Sequence, residues 1–299
     1  MYILTNDVKK IDDVYVRQVL PKRKRDSHKG TYGKAAIVAG SEEYSGAAYL
    51  AAKACLRSGA GYTTLFLPKN LFSAFLLRAP ELLLKSTNDG GRYAFKEEIM
   101  QTLLAYDSIA YGMGMGATED TARGAVYLLQ NYEGKLILDA DGLNALAHYQ
   151  KDGLKTLFQN KKCAVVITPH VKEFSRLSGY SVAEIEQNGA ELAKTFAKEN
   201  GITVLLKNAR TIITDGEEVL LNTMGNSGQA KAGSGDVLSG VIAGISAMGA
   251  TVKDGAASGC YLAGKAAGIA VKERGEYSLL ATDVIEELGH AFTSVFYGR

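Results

Sequence analysis

The chain has 299 residues, of which 33 are glycine and 4 proline, with no tryptophan, a formal net charge of +2, 46% hydrophobic residues and 22% charged ones. That balance excludes a disordered chain, and a collagen-like chain would need more proline and a fixed glycine period. The near-neutral charge excludes a global basic field for nucleic acid or membrane, and Cys55, Cys163 and Cys260 lie too far apart for a disulfide framework or a zinc ribbon.

Met1 to Asp7 contains no basic segment leading into an apolar run, so no secretory signal is expected. No stretch approaches the roughly 18 uncharged apolar residues of a membrane span. A soluble cytoplasmic protein is expected. The basic run Lys22-Arg23-Lys24-Arg25 reads as a solvated edge or a local attraction for phosphates rather than a nucleic-acid patch. Strands are expected over Ala35–Ala39, Thr63–Leu67, Glu81–Leu84, Ser108–Tyr111, Leu136–Asp139, Val165–Thr168, Thr203–Leu206, Thr211–Thr214 and Val219–Leu221. Helices are expected over Gly46–Ser58, Asn70–Leu77, Thr118–Asn131 and Ala183–Lys198, and almost continuously after Asp236.

Several of these strands are unbroken runs of Val, Ile, Leu and Ala, as in a parallel sheet covered on both faces. Their alternation with helices predicts an α/β fold, a doubly wound, mostly parallel sheet in three α/β/α layers. The last three strands are too close for crossover helices and read as an antiparallel meander at one edge. Length alone suggests about two domains. With no repeat or long linker, a single domain over residues 1–299 is the expectation.

Glycine averages roughly 7% of residues, so this chain has an excess that needs an address. Six glycines fall between Gly30 and Gly61, three in Gly112-Met113-Gly114-Met115-Gly116 and seven between Gly225 and Gly249. All three clusters are expected around one cleft beyond the carboxyl ends of the strands, where backbone amides approach phosphates closely. The strongest signal is the block from Asn222 to Asp236, ending Gly233-Ser234-Gly235-Asp236 before an apolar helix. Free amides and the helix dipole there make an anion hole from Gly233, Ser234 and Gly235. Asp236 is placed to take a proton from a hydroxyl attacking phosphorus. The ordinary alternative is a tight turn with a first-turn acid. No G-K-[ST] follows Gly235, so this is no Walker A loop, and Gly112, Gly114 and Gly116 lack the spacing of a dinucleotide fingerprint.

The Gly-x-Gly-Asp helix start resembles the ribokinase-like superfamily, and within it the ADP/ATP-dependent NAD(P)H-hydrate dehydratases. The pieces that carry the resemblance run in order through most of the chain: Asp26-Ser27-His28-Lys29-Gly30-Thr31-Tyr32-Gly33, Ala39-Gly40-Ser41 with Ser45-Gly46-Ala47-Ala48, Arg57-Ser58-Gly59-Ala60-Gly61, and Gly112-Met113-Gly114. Leu138-Asp139-Ala140-Asp141-Gly142-Leu143-Asn144, Thr168-Pro169-His170 with Glu173-Phe174, Leu206-Lys207 and the Asn222 to Asp236 block complete them. Two departures stand out. Val171 and Lys172 replace the family's Pro-Gly, and Asn208 replaces the glycine after Lys207. Asn tolerates left-handed backbone angles, so that turn is expected to survive.

The resemblance implies a ribokinase-like fold and repair of the S epimer of NADHX or NADPHX, which are NADH or NADPH hydrated at C6 of the nicotinamide. ADP or ATP would phosphorylate the C6 hydroxyl and phosphate would then leave, giving AMP or ADP. It implies Asp236 as base and substrate contact, with Ala47, Gly114 and His170 also on the hydrated dinucleotide. Lys207, Asn208, Ala209, Arg210, Thr211 and Gly235 would hold ADP or ATP. Asn144 and Glu173 are the candidates for Mg2+ or its waters, since magnesium takes few protein carboxylates beside phosphates. A homotetramer is implied, with no nucleic acid or membrane partner. The competing readings are a small-molecule kinase of the same superfamily, for an alcohol of the hydroxymethylpyrimidine type, and a non-catalytic nucleotide sensor. The Lys29 to Gly33 and Thr168 to His170 motifs argue against the first. Asp236 with its flanking glycines argues against the second.

Overall fold

The computed structural model describes residues 8–88, 90–150 and 153–298; the segment Met1 to Asp7, read above for a signal, lies outside them. In chain order the elements are β1 (Val8–Lys10), α1 (Asp13–Val19), β2 (Lys34–Val38), α2 (Ser45–Leu56), β3 (Tyr62–Leu67), α3 (Phe72–Leu76), β4 (Leu83–Ser86), α4 (Glu97–Leu103), β5 (Ser108–Tyr111), α5 (Glu119–Asn131) and β6 (Lys135–Leu138). They continue as α6 (Ala140–Tyr149), α7 (Leu154–Gln159), β7 (Ala164–Ile167), α8 (Val171–Ser178), α9 (Val182–Asn200), β8 (Thr203–Leu206), β9 (Thr211–Thr214), β10 (Val219–Asn222), α10 (Ser234–Ala247), α11 (Val252–Ser278) and α12 (Ala281–Tyr297).

The strands form one sheet in the order β1-β10-β9-β8-β7-β6-β5-β2-β3-β4. Only β9 runs antiparallel to its neighbours. Apolar residues alternate between two faces. Ala35, Ile37, Leu65, Ala110, Ile137, Val166 and Leu205 face the core under α1, α2, α10, α11 and α12. Ala36, Val38, Phe66, Ile109, Leu136, Val165 and Val204 face the core under α4 to α9. Both faces are covered by helices, so the inner strand positions are mostly apolar, and the architecture is the expected three-layer α/β/α arrangement.

The meander does not end the sheet. Val8 pairs in parallel with Val219, so β1 is the outer strand, and it is too short and lysine-rich to be read from a pattern. The expected strand Glu81–Leu84 lies two residues later, at Leu83–Ser86, because Glu81 is in a turn. The expected helix Asn70–Leu77 is a 3-10 turn, Lys69–Leu71, followed by α3.

α10 is buried from Val237 to Ala247, and it packs against α2. Glycine makes that contact possible: a Cβ on Gly240 would lie 2.0 Å from the Ala51 carbonyl oxygen. The parallel strands β5 and β2 are neighbours from which the strand order runs outward in opposite directions, so the crevice beyond their carboxyl ends is the switch point where ligands bind in such sheets. The glycine clusters divide around this axis. Gly33, Gly59 and Gly61 precede β2 and β3, at the amino ends, where a Cβ on Gly61 would meet the Lys29 carbonyl oxygen at 1.7 Å. The expectation that all three clusters surround one cleft is therefore corrected: part of the excess serves close loop packing at the opposite pole.

Candidate active site

Four strand ends converge on the first turn of α10. β6 ends in Asp139, β7 in Thr168-Pro169-His170, β8 in Lys207, and β5 in the Gly112–Gly116 turn. Gly233 is the N-cap of α10 with φ +96°, which a residue with a side chain rarely adopts, and no side chain caps this helix. The first-turn amides of Gly235 and Asp236 are thus left for a ligand, at the positive end of the helix dipole.

Lys207 supplies the cation beside that turn. Its Nζ lies 2.8 Å from Asp139 Oδ1 and 4.0 Å from Glu173 Oε2. Asp139 Oδ2 accepts a 2.7 Å hydrogen bond from Ser239 Oγ, one turn along α10. A methyl group on Gly235 would lie 3.5 Å from Lys207 Nζ and 3.8 Å from Asp139 Oδ2, which places the ammonium against the helix start. Burial works against the Lys207 charge, but Asp139, Glu173 and Asp236 hold its pKa above the ordinary value.

Asp236 is pushed up to about 7, first by burial and then by the charges of Asp139 and Asp141, with Lys207 opposing. These charges come from two directions. Asp139 and Lys207 lie toward β6 and β8. Asp141 accepts from Gly116 N–H at 2.8 Å, and its own N–H donates to Gly112 O, so it belongs to the β5 turn. Asp236 stands at the junction. Between Asp139 and Asp141, Ala140 has φ +47°, the one positive φ outside glycine among the described residues. Such strain gathers where a turn is held by function.

A cavity of about 760 Å³ opens on one side of the junction, lined by His170, Lys207, Asn208, Ala209, Thr211, Ser234 and Gly235, with an apolar wall including Val237, Leu238 and Ala263. Arg210 is exposed and does not line it. Asn208 Oδ1 accepts from Ala209 N–H at 2.7 Å; the turn survives the loss of glycine without a left-handed residue. Ala47 and Gly114 lie outside this cavity and touch each other: a Cβ on Gly114 would be 2.9 Å from Ala47 Cβ. The site residues read from the sequence thus fall in two groups, on the two sides of Asp236.

His170 joins structure and site. Its Nδ1 accepts from Lys172 and Glu173 N–H and so caps α8, while its own N–H donates to Glu173 Oε2 at 2.8 Å. Nδ1 is an acceptor, so Nε2 carries the hydrogen of the neutral ring, 3.4 Å from Glu173 Oε1. Burial lowers its pKa despite Glu173, with Lys207 and Arg176 acting in the same sense. Asn144 points elsewhere: its Oδ1 accepts from Arg176 Nη1 at 2.7 Å. Among the described residues no cluster of three or more His, Cys, Asp or Glu forms a protein metal cage. The donor set fits a Mg2+ carried on nucleotide phosphates with one buried carboxylate, Glu173, rather than a dedicated metal site.

A family model described as NAD(P)H-hydrate dehydratase matches residues 35–290, spanning every strand and helix that builds the site. The chain belongs to the NAD(P)H-hydrate dehydratase family. It is 33% identical to the ADP-dependent (S)-NAD(P)H-hydrate dehydratase of Bacillus subtilis, over 92% of this chain and 94% of that protein. It superposes on the crystal structure of the Bacillus subtilis ADP/ATP-dependent NAD(P)H-hydrate dehydratase, co-crystallised with ATP/Mg2+, with a TM-score of 0.85 at 30% identity, covering 97% and 100% of the two chains. It is also 36% identical, over 92% of its length, to the bifunctional NAD(P)H-hydrate repair enzyme of Thermofilum pendens, but spans only 53% of it. The chain is thus about half the length of that bifunctional relative. The fold of the family is the ribokinase-like one anticipated from the sequence.

Sequence reasoning missed Asp139, Asp141 and Ser239 as members of the site. Asp139 and Asp141 stood in a motif that carried the resemblance without a role. Ser239 had one signal, a hydroxyl in an otherwise apolar run three residues after Asp236.

Proposed function

We propose that the chain is a nucleotide-dependent dehydratase that returns the S epimer of NADHX or NADPHX to NADH or NADPH with ADP or ATP. One observation carries the reading: a half-buried carboxylate, Asp236, pushed up to about 7 on the uncapped first turn of a helix, with an ammonium beside it. A base poised near neutrality is matched to taking a hydroxyl proton, and free amides are matched to the charge on a transferred phosphoryl group. Asp236 takes the proton of the C6 hydroxyl as that oxygen attacks the terminal phosphorus. The bond to AMP (from ADP) or ADP (from ATP) breaks, and the amides of Gly235 and Asp236 with Lys207 hold the phosphoryl oxygens. The N1 lone pair then expels phosphate from C6, and loss of a C5 proton restores the dihydropyridine. Mg2+ would supply charge neutralisation on the phosphates, with Glu173 as the protein residue near it.

The cavity bounded by Lys207, Asn208, Ala209, Thr211 and Gly235 suits the nucleotide, and Arg210 is the exposed residue between two of its lining residues. The region of Ala47 and Gly114, outside that cavity, suits the hydrated dinucleotide, while His170 lines the cavity itself. A homotetramer is part of the proposal. Leu77, 92% exposed, and Leu83 on the edge strand β4 offer apolar surface for it. The three free, buried cysteines suit the cytoplasm. The test is to incubate the protein with purified hydrated NADH, magnesium and ADP or ATP, and to follow dihydronicotinamide absorbance and phosphate. Absorbance returns with one phosphate per turnover if the proposal holds. No return with either nucleotide, or phosphate left on an alcohol product as a kinase would leave it, overturns it.

A further inference from the structure

Asp139 is 1% exposed, carries no role in the chemistry above, and yet sits at the centre of the site's charges. A buried carboxylate is costly unless fully partnered. Each of its oxygens has one partner. Oδ1 holds Lys207 Nζ at 2.8 Å and Oδ2 holds Ser239 Oγ at 2.7 Å. Ser239 is itself fully buried, on the same helix as Asp236. The two contacts tie the end of β8 to the first turns of α10 through one side chain on β6. A lysine is a flexible four-carbon stem with roughly 2 kcal/mol of rotamer entropy to lose when fixed. Here that freedom is already removed. The second carboxylate, Glu173, stands farther off at 4.0 Å and is engaged by the His170 N–H at 2.8 Å, so Asp139 is the principal anchor.

We propose that Asp139 is a positioning residue: braced by Ser239, it fixes the Lys207 ammonium against the N-terminus of α10, on the path of the transferred phosphoryl group. The proposal rests on the dehydratase reading for its consequence, but the placement of Lys207 is measurable without any turnover. A second expectation follows from the charges. One ammonium shared by two carboxylates has no net positive charge to offer. Lys207 therefore acts by its fixed position, donating to phosphoryl oxygens while still held, rather than by attracting nucleotide from a distance. Loss of Asp139 should lower kcat and leave the nucleotide KM nearly unchanged.

The experiment compares wild type, Asp139→Asn, Ser239→Ala, Lys207→Ala and the Asp139→Asn/Lys207→Ala double variant. Trace amine-reactive labelling read by peptide mass spectrometry reports Lys207 itself. It should label more slowly than the exposed Lys172 in wild type, and faster in Asp139→Asn and Ser239→Ala. Steady-state assays should show kcat down roughly 10²-fold in Asp139→Asn, with no further loss when the same change is made on Lys207→Ala. Unchanged Lys207 labelling, or losses that multiply in the double variant, would overturn the proposal. If Asp139→Asn does not fold, Ser239→Ala carries the labelling test alone. If Lys207→Ala turns over as fast as wild type, it is the dehydratase reading of the anion site that falls, and labelling still decides whether Asp139 positions Lys207.

Discussion

Two helix starts in this molecule carry an acidic residue at the same position and use it in opposite ways. α9 begins with Ser181 as N-cap and Glu184 three residues on; the serine hydroxyl accepts from Glu184 N–H, and the Glu184 carboxylate reaches back to Ser181 N–H at 2.8 Å. α10 begins with Gly233 as N-cap and Asp236 three residues on, and no side chain closes the turn. Glycine has no hydroxyl to give. The hydrogen bonds from Ser181 hold the Glu184 carboxyl below its usual range, whereas burial and neighbouring carboxylates push Asp236 up to about 7. A capped acid is spent on the helix. An uncapped, half-buried one keeps its affinity for protons and leaves the amides beside it free. α8 stands between them: Glu173 closes a capping box with His170 but is buried beside Lys207, so it serves both helix and site.

The sharpest break of this contrast is Asp236→Asn. Removing the base should cost about 10³-fold in kcat, within the roughly 10²–10⁴ range of general-base catalysis. The same change should raise stability. A carboxyl whose folded pKa lies above its unfolded value destabilises the fold once it ionises. The penalty is absent below pH 3.8, grows as pH rises toward about 7 and is complete above it. Thermal unfolding at pH 8 should therefore favour Asp236→Asn by about 1–2 kcal/mol, since water still reaches the carboxylate and screens part of the penalty. The difference should vanish near pH 4. Equal melting temperatures across that range would mean that Asp236 is not held above its ordinary value.

The pH dependence of wild type tests the same group in turnover. If Asp236 must be ionised to act, kcat/KM should rise tenfold per pH unit below about 7 and level off above it. A limb centred near 4 would show a base with the proton affinity of an ordinary aspartate. Asp236→Glu probes the geometry instead. One added methylene lets the carboxylate reach back toward the Gly233 N–H, as Glu184 does toward Ser181. Activity should fall by about 10²-fold, and the rising limb should move to lower pH as the acid is drawn into a cap.

How much of this was legible beforehand follows from where the information lies. Ser108–Tyr111 and Thr203–Leu206 were readable to the residue because every position is buried and, after the first hydroxyl residue, each run is unbroken apolar or aromatic. β1 was not, since a three-residue strand of one valine and two lysines has no period. The Gly233-Ser234-Gly235-Asp236 turn was readable because a local helix start needs only local residues. The Lys207–Asp139–Ser239 chain was not. Its partners are 68 and 100 residues apart and are brought together by sheet order alone. The hydrogen bond of Asn144 was hidden for the same reason. Its proximity to the site in sequence says nothing about Arg176, 32 residues on, which takes its oxygen.

The weakest test is also the control that the contrast requires. Ser181→Ala removes the hydroxyl that closes α9 and leaves Glu184 with only the backbone N–H of residue 181. Loss of an N-cap serine costs about 1 kcal/mol, which should lower the melting temperature by about 1–2 °C in a chain of this size. Turnover at saturating nucleotide should not change, because neither Ser181 nor Glu184 lines the cavity, and the two hydrogen-bond to each other. A capped helix start thus registers in stability alone, an uncapped one in catalysis with stability moving the opposite way. If Ser181→Ala slowed turnover at unchanged stability, helix closure itself, rather than its absence at Asp236, would govern the reaction.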